Sequence, residues 1–157
     1  MTDGGLRGPD RERRRARRWL LRVSLAALLA PMVAGAAGFA EGDGRAVRLV
    51  IEAQLKAFAA DDAERAFSYA SAAIRTQFGD AATFMAMVRA TYPMVVQPAA
   101  ISFFQPRLAD GVVWQTVHLR DRAGRLWLAT YQLQQQADVG WRINGCAVVA
   151  DAGKSSI

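Results

Sequence analysis

Apolar residues keep helical spacing along the chain until about residue 93 and then fall into strand-like alternation. From Arg45 to Ala60, Val47, Ile51, Leu55 and Phe58 follow one another at intervals of four, four and three. On a helix those intervals draw a single apolar stripe. Asp61 precedes Asp62-Ala63-Glu64, where the Asp61 carboxylate is placed to accept backbone N–H bonds at the start of a second helix. "AERAFSYASAAI" supplies that helix, burying Ala66, Phe67 and Ala70 with Ile74 as their continuation. Gly79-Asp80 stops the chain and restarts it as "AATFMAMVRATY", with Phe84, Met87, Val88 and Thr91 on one face and Pro93 as its end.

Beyond Pro93 the segments "VVQPAAISFFQP", "GVVWQTVHLRD", "GRLWLATYQLQQQ" and "GWRINGCAVVA" are rich in β-branched and aromatic residues. Asp110-Gly111, Asp121-Arg122-Ala123-Gly124 and Asp138-Val139-Gly140 separate them as hairpin connections. The pattern predicts an α+β domain over residues 45–150: three N-terminal helices packed on a four-stranded antiparallel sheet. Residues 41–44, "EGDG", read as a short linker and residues 151–157 as a flexible tail. The 117 residues from Glu41 onward bury roughly two-thirds of their unfolded surface at the usual scaling, enough for a core without disulfides.

Alternation also sorts the strand residues by face. Val113, Gln115, Val117 and Leu119 share one face, and Trp114, Thr116, His118 and Arg120 share the more polar one. In the next strand Trp127, Ala129, Tyr131 and Leu133 oppose Leu126, Leu128, Thr130 and Gln132. Both faces are partly apolar but only one can cover the helices, so the other is free to pair with a second copy or another protein. In the last strand strict alternation separates Cys146 from Trp141 and Ile143. A bulge at Gly145 would shift parity and place Trp141, Ile143, Cys146 and Val148 together.

Net charge changes the picture only once it is located. The chain carries +6, but residues 1–40 hold eight arginines against three acids, leaving twelve basic and eleven acidic side chains for residues 41–157. The body therefore has no electrostatic footprint for nucleic acid. The leader, "RERRRARRWLLR" followed by "VSLAALLAPMVAGAAGFA", reads as an export signal, a basic segment ahead of an apolar run that ends in small residues. Cleavage is expected after Ala40, with Ala36 as the alternative site. An uncleaved anchor over residues 23–40 is the competing reading, and this segment is the only expected contact with a membrane. Arg17-Arg18-Trp19-Leu20-Leu21 also resembles the core of a twin-arginine signal. The expected destination is the periplasm or the exterior.

Little in the body supports chemistry. Cys146 is the only cysteine and His118 the only histidine, too few to build the usual zinc sites, and no acidic loop has calcium spacing. No metal or cofactor is expected. A lone strand cysteine packs as a small hydrophobe, and a strand histidine beside Arg120 reads as a solvated or hydrogen-bonded side chain. Asp61 and Asp62 form the only carboxylate pair of the body, at a helix start that accounts for them.

The order of elements resembles the cone-shaped fold of nuclear transport factor 2 and ketosteroid isomerase, a cystatin-like arrangement with a curved sheet. More narrowly, "IEAQLKAFAADDAERAFSYASAAIRTQFGDAATFMAMVRATYPMV", "WLATYQL" and "GWRINGC" are similar to a proteobacterial family, domain of unknown function 4864. The resemblance implies a cavity between helices and sheet. Tyr69, Tyr92, Trp114, Trp127 and Tyr131 are the residues that would offer it aromatic walls and hydroxyls for a small apolar ligand; Trp141 is a further aromatic. It also implies an alternative, an isomerase- or hydratase-type enzyme with His118 or Asp62 as base, although the first helix offers no tyrosine as acid donor. The reading is thus a non-catalytic exported binding module for a small ligand or an envelope protein, with an enzyme or a homodimeric structural protein as alternatives.

Overall fold

The first helix, α1, spans Glu41–Ala59, so residues 41–44, expected as a linker, form its first turn. The computed structural model describes residues 41–153; the export segment expected over residues 1–40 and the last four residues of the expected tail lie outside the described residues. Val47, Ile51, Leu55 and Phe58 are at most 4% exposed, which is the stripe their spacing demands. Gln54 is buried among them, and its amide donates to the Ala66 carbonyl at 3.1 Å, tying α1 to the next helix. At Asp61 the backbone turns left-handed, with φ of 58°.

The N-cap expected of Asp61 falls to its neighbour. Asp62 accepts the Arg65 N–H at 3.0 Å and starts α2, Ala63–Ser68, while Asp61 pairs with Arg89. Three helices were expected and five are found among the described residues. The second breaks at Tyr69–Ser71, and α3 runs over Ala72–Phe78. The break is made by tertiary bonding. Ser71 N–H donates to the Ile143 carbonyl at 2.8 Å, and Ile143 N–H donates to the Tyr69 carbonyl at 2.9 Å, so Ala70 docks beside the last strand. The Ser71 hydroxyl then accepts the Ile74 N–H as the N-cap of α3. Helix α4, Ala81–Thr91, is capped by Asp80 and buries Ala81, Phe84, Met85 and Val88; Thr91, expected on that face, is exposed. Pro93 ends α4 and also opens α5, Pro93–Val96, at the first helical position, where its missing N–H costs nothing.

The sheet is antiparallel and open. Its strands are β1 (Ala100–Phe103), β2 (Arg107–Ala109), β3 (Val112–Arg120), β4 (Leu126–Gln136) and β5 (Gly140–Ala150), ordered β1-β3-β4-β5 with β2 also paired to β3. The first of the four expected strands is shortened: its leading valines belong to α5, its last three residues, Phe104–Pro106, form a gap after β1, and β2 follows beyond it as a strand not expected. Proline has no N–H for the ladder, and Gln115 bridges the gap by donating to the Phe104 carbonyl at 2.7 Å. Asp110 and Gly111, with φ of 51° and 74°, make the two-residue turn between β2 and β3.

All helices cover one face of the sheet. Val113, Val117, Leu119, Ala129, Tyr131, Leu133 and Ile143 form its buried side. The bulge is present: Gln132 pairs with Gly145 and Leu133 with Ile143, leaving Asn144 unopposed. Trp141, Ile143, Cys146 and Val148 consequently meet the core together.

The β3–β4 turn is organised by Asp121, which is 8% exposed. Its carboxylate accepts from Ala123 N–H, Arg125 N–H and Arg125 Nε at 2.9, 2.9 and 2.7 Å, and from Trp127 Nε1 at 3.1 Å. Partial desolvation pushes its pKa up, but the bonds from Trp127 and Arg125 and the Arg125 charge outweigh it and hold the group below the usual value. A depressed native pKa stabilises the fold above the unfolded value, about 4, and the contribution is lost as pH falls through it. The thermal-stability advantage of the wild type over Asp121→Asn is therefore expected to shrink as pH is lowered from about 6 to about 3, in paired melts. An advantage that grew with acid would contradict the turn's electrostatics.

Candidate functional site

Between the helices and the inner face of β4 and β5 lies a cavity of about 300 Å³. That is room for about ten waters at ~30 Å³ each, at the small end for ligand pockets. Its walls come from every layer: Phe58 of α1, Ile74 and Phe78 of α3, Phe84 and Met87 of α4, and Tyr131 of β4. The Phe84 ring is the hub, with centroids of Phe67, Phe78 and Phe58 at 5.3, 5.5 and 6.0 Å. These spacings suit tilted and edge-on aromatic contact.

Two polar groups stand side by side on the sheet wall. Tyr131 is paired across the strands with Cys146, and both line the cavity. Tyr131 is 1% exposed, and its hydroxyl has no hydrogen-bond partner. The Cys146 sulfur is its near neighbour and perturbs it as a soft, weak hydrogen-bonding group, but the contact falls short of normal hydrogen-bond geometry and leaves the hydroxyl unmatched. Burial, then the neighbouring thiol, pushes the Tyr131 hydroxyl well above its usual range. Burial likewise pushes the Cys146 thiol up to about 12, against a smaller lowering from Tyr131. Both groups are protonated at neutral pH, so the wall is uncharged.

Of the five aromatic residues expected at a ligand, Tyr92 and Tyr131 line the cavity and Tyr69, Trp114 and Trp127 do not. Tyr69 packs at the margin of the core. Trp127 donates to Asp121 beneath the Arg125 guanidinium, and Trp114 lies on the outer sheet face opposite Gln132. The two expected bases are also elsewhere. Asp62 caps α2, and His118 is on the outer face, its Nε2 3.0 Å from Asp151 Oδ2 without hydrogen-bond alignment. Periodicity did not reveal Phe58, Phe78 and Phe84 as walls, because a stripe that faces a hollow looks the same as one that faces a filled core. The pairing of Tyr131 with Cys146 was the available signal, and it depends on the bulge.

A wider surface cleft of about 660 Å³ runs along α5 and the β3–β4 turn. It is open to solvent, and of its charged groups Arg89 pairs with Asp61 and Arg125 with Asp121, so it encloses little. Among the described residues no cluster of three His, Cys, Asp or Glu could hold a metal ion, and no helix is long and apolar enough to cross a membrane.

A family model described as a domain of unknown function (DUF4864) matches residues 40–156, about three-quarters of the chain. No curated protein and no solved structure matches it.

Proposed function

The chain belongs to the domain of unknown function 4864 family, and from that premise we propose that it is a non-catalytic module binding a small, mostly apolar ligand in the cavity between helices and sheet. The observation that carries this reading is the hollow itself: aromatic and aliphatic walls around one buried hydroxyl that makes no well-formed hydrogen bond within the protein. A well-packed interior leaves few such voids and few such groups. The cone architecture of nuclear transport factor 2 and ketosteroid isomerase belongs to the proposal, supported by helices on one face of an open antiparallel sheet around a cavity. So does export by residues 1–40, supported by their basic and apolar pattern. An isomerase or hydratase using His118 or Asp62 gains no support from their positions, since neither lines the cavity.

A second reading rests on the opposite side of the sheet. Phe104 and Val149 are 51% and 59% exposed, and Trp114, Leu126 and Leu128 on the same side are half-buried. Such a surface favours a second copy or an envelope protein as partner.

Native mass spectrometry of protein purified gently from its own host tests the first reading. A non-covalent adduct is expected on the wild type and absent from Met87→Trp, in which the indole fills the hollow. A bare wild-type mass, together with no thermal shift from apolar probes at saturating concentration, would remove the proposal.

A further inference from the structure

The walls of the cavity restrict its occupant by what they lack. No Asp, Glu, Lys, Arg or His is among the lining residues. A charged ligand would surrender its hydration there without meeting a counter-charge, the costliest transfer a pocket can demand. The occupant is held to neutral molecules by this alone.

The few polar side chains of the lining divide into used and unused. The Gln54 amide N–H is committed to the Ala66 carbonyl, and Asn144 Oδ1 accepts the Ser71 hydroxyl at 2.8 Å. Gln77 is exposed at the rim. Of the two lining phenols Tyr92 is only half-buried, whereas Tyr131, 1% exposed and beside the protonated Cys146, holds a fully buried hydroxyl without a hydrogen-bond partner. A buried phenol left unmatched loses the hydrogen bond that it had with water, so an acceptor brought by the ligand recovers what folding gave up. A phenol is the better donor than acceptor, because its lone pairs are shared with the ring. The aromatic walls around Phe84 favour a compact, flat body behind that acceptor.

Resting on the binding role above, we infer that the ligand is an uncharged, compact, largely apolar molecule with one hydrogen-bond acceptor of the carbonyl type, received by the Tyr131 hydroxyl. The acceptor fixes orientation, and the phenylalanine walls supply the affinity. Tyr131 is a specificity-determining residue, and its neighbour Cys146 contributes shape and neutrality rather than a bond.

Three probes of matched size separate the contributions: acetophenone, ethylbenzene and benzoate, titrated by calorimetry into the intact protein and into Tyr131→Phe. Tyr131→Phe removes an unpaired buried hydroxyl and keeps the ring, so it is expected to fold at least as stably as the wild type. Acetophenone should bind the wild type about tenfold more tightly than ethylbenzene, and benzoate at least tenfold more weakly than acetophenone. In Tyr131→Phe the preference for acetophenone should vanish while ethylbenzene is unchanged. Equal binding of acetophenone and ethylbenzene, a preference that survives in Tyr131→Phe, or benzoate binding as well as acetophenone would overturn the inference and leave the binding role standing. Failure of all three probes at millimolar concentration would count against the binding role, and the inference would fall with it.

Discussion

Cys146 in the native protein is expected to react with iodoacetamide at pH 8 about a thousandfold more slowly than the same thiol in the chain unfolded by guanidinium. Only the thiolate is the nucleophile. Burial moves the group from 9.0 to about 12, and the thiolate population at a fixed lower pH falls in proportion, by about a factor of 10³. Mass spectrometry of timed samples reads the rate directly. Alkylation as fast as in the unfolded chain would mean that the cavity opens to water at Cys146, and a catalytic thiol would return to consideration. The same burial has a consequence for stability. The unfolded chain releases its thiol proton near pH 9 and its tyrosine protons near 10, whereas native Cys146 and Tyr131 hold theirs to higher pH. The native state then binds more protons than the unfolded one, so stability present below about pH 9 is lost as pH rises beyond it. Cys146→Ala should lose less stability than the wild type between pH 8 and about 11.

Ile51→Ala is expected to destabilise the fold by about 2–5 kcal/mol, a large share of the ~5–15 kcal/mol typical of a domain. Ile51 is 0% exposed at the centre of α1, where the helix packs against both the other helices and the inner face of the sheet. Leu49, two residues away and 54% exposed, provides the control: Leu49→Ala should stay within about 0.5 kcal/mol. Urea denaturation distinguishes them by a lowered midpoint with unchanged slope for Ile51→Ala. Equal costs at the two positions would mean that α1 does not present the face described.

Part of this architecture is legible in the sequence alone. The stripe of Val47, Ile51, Leu55 and Phe58 and the two faces of β3 and β4 follow from side-chain period, whereas the bulge beside Gly145 was one of two parities that the sequence left open. The number of helices is not legible there. "AERAFSYASAAI" has unbroken helical propensity, and its break at Tyr69–Ser71 comes from hydrogen bonds with Ile143, over seventy residues away. Ser71 as a potential N-cap was the only local hint. The exchange of roles between Asp61 and Asp62 has a similar origin, because the left-handed turn that ends α1 and the contact with Arg89 are tertiary choices.

The aromatic residues show the same division. Three of the four tryptophans and one of the three tyrosines fall in the strand-rich part of the chain, and alternation put Trp127 and Tyr131 on one face. One clamps a turn through Asp121 and the other faces a hollow, a difference set by their distance along β4 from the helices above.

By itself the sequence determined that helices precede strands, which side of α1, β3 and β4 turns inward, and that the body holds one cysteine and one histidine. Those properties are local: they depend on spacing, turn residues and composition, which the chain carries whatever its partners. Only the tertiary structure decided that the inward faces leave a space, which walls enclose it, and that one phenol within it is unpaired. Voids and unsatisfied groups are what remains after distant segments have packed, and no interval along the chain encodes them.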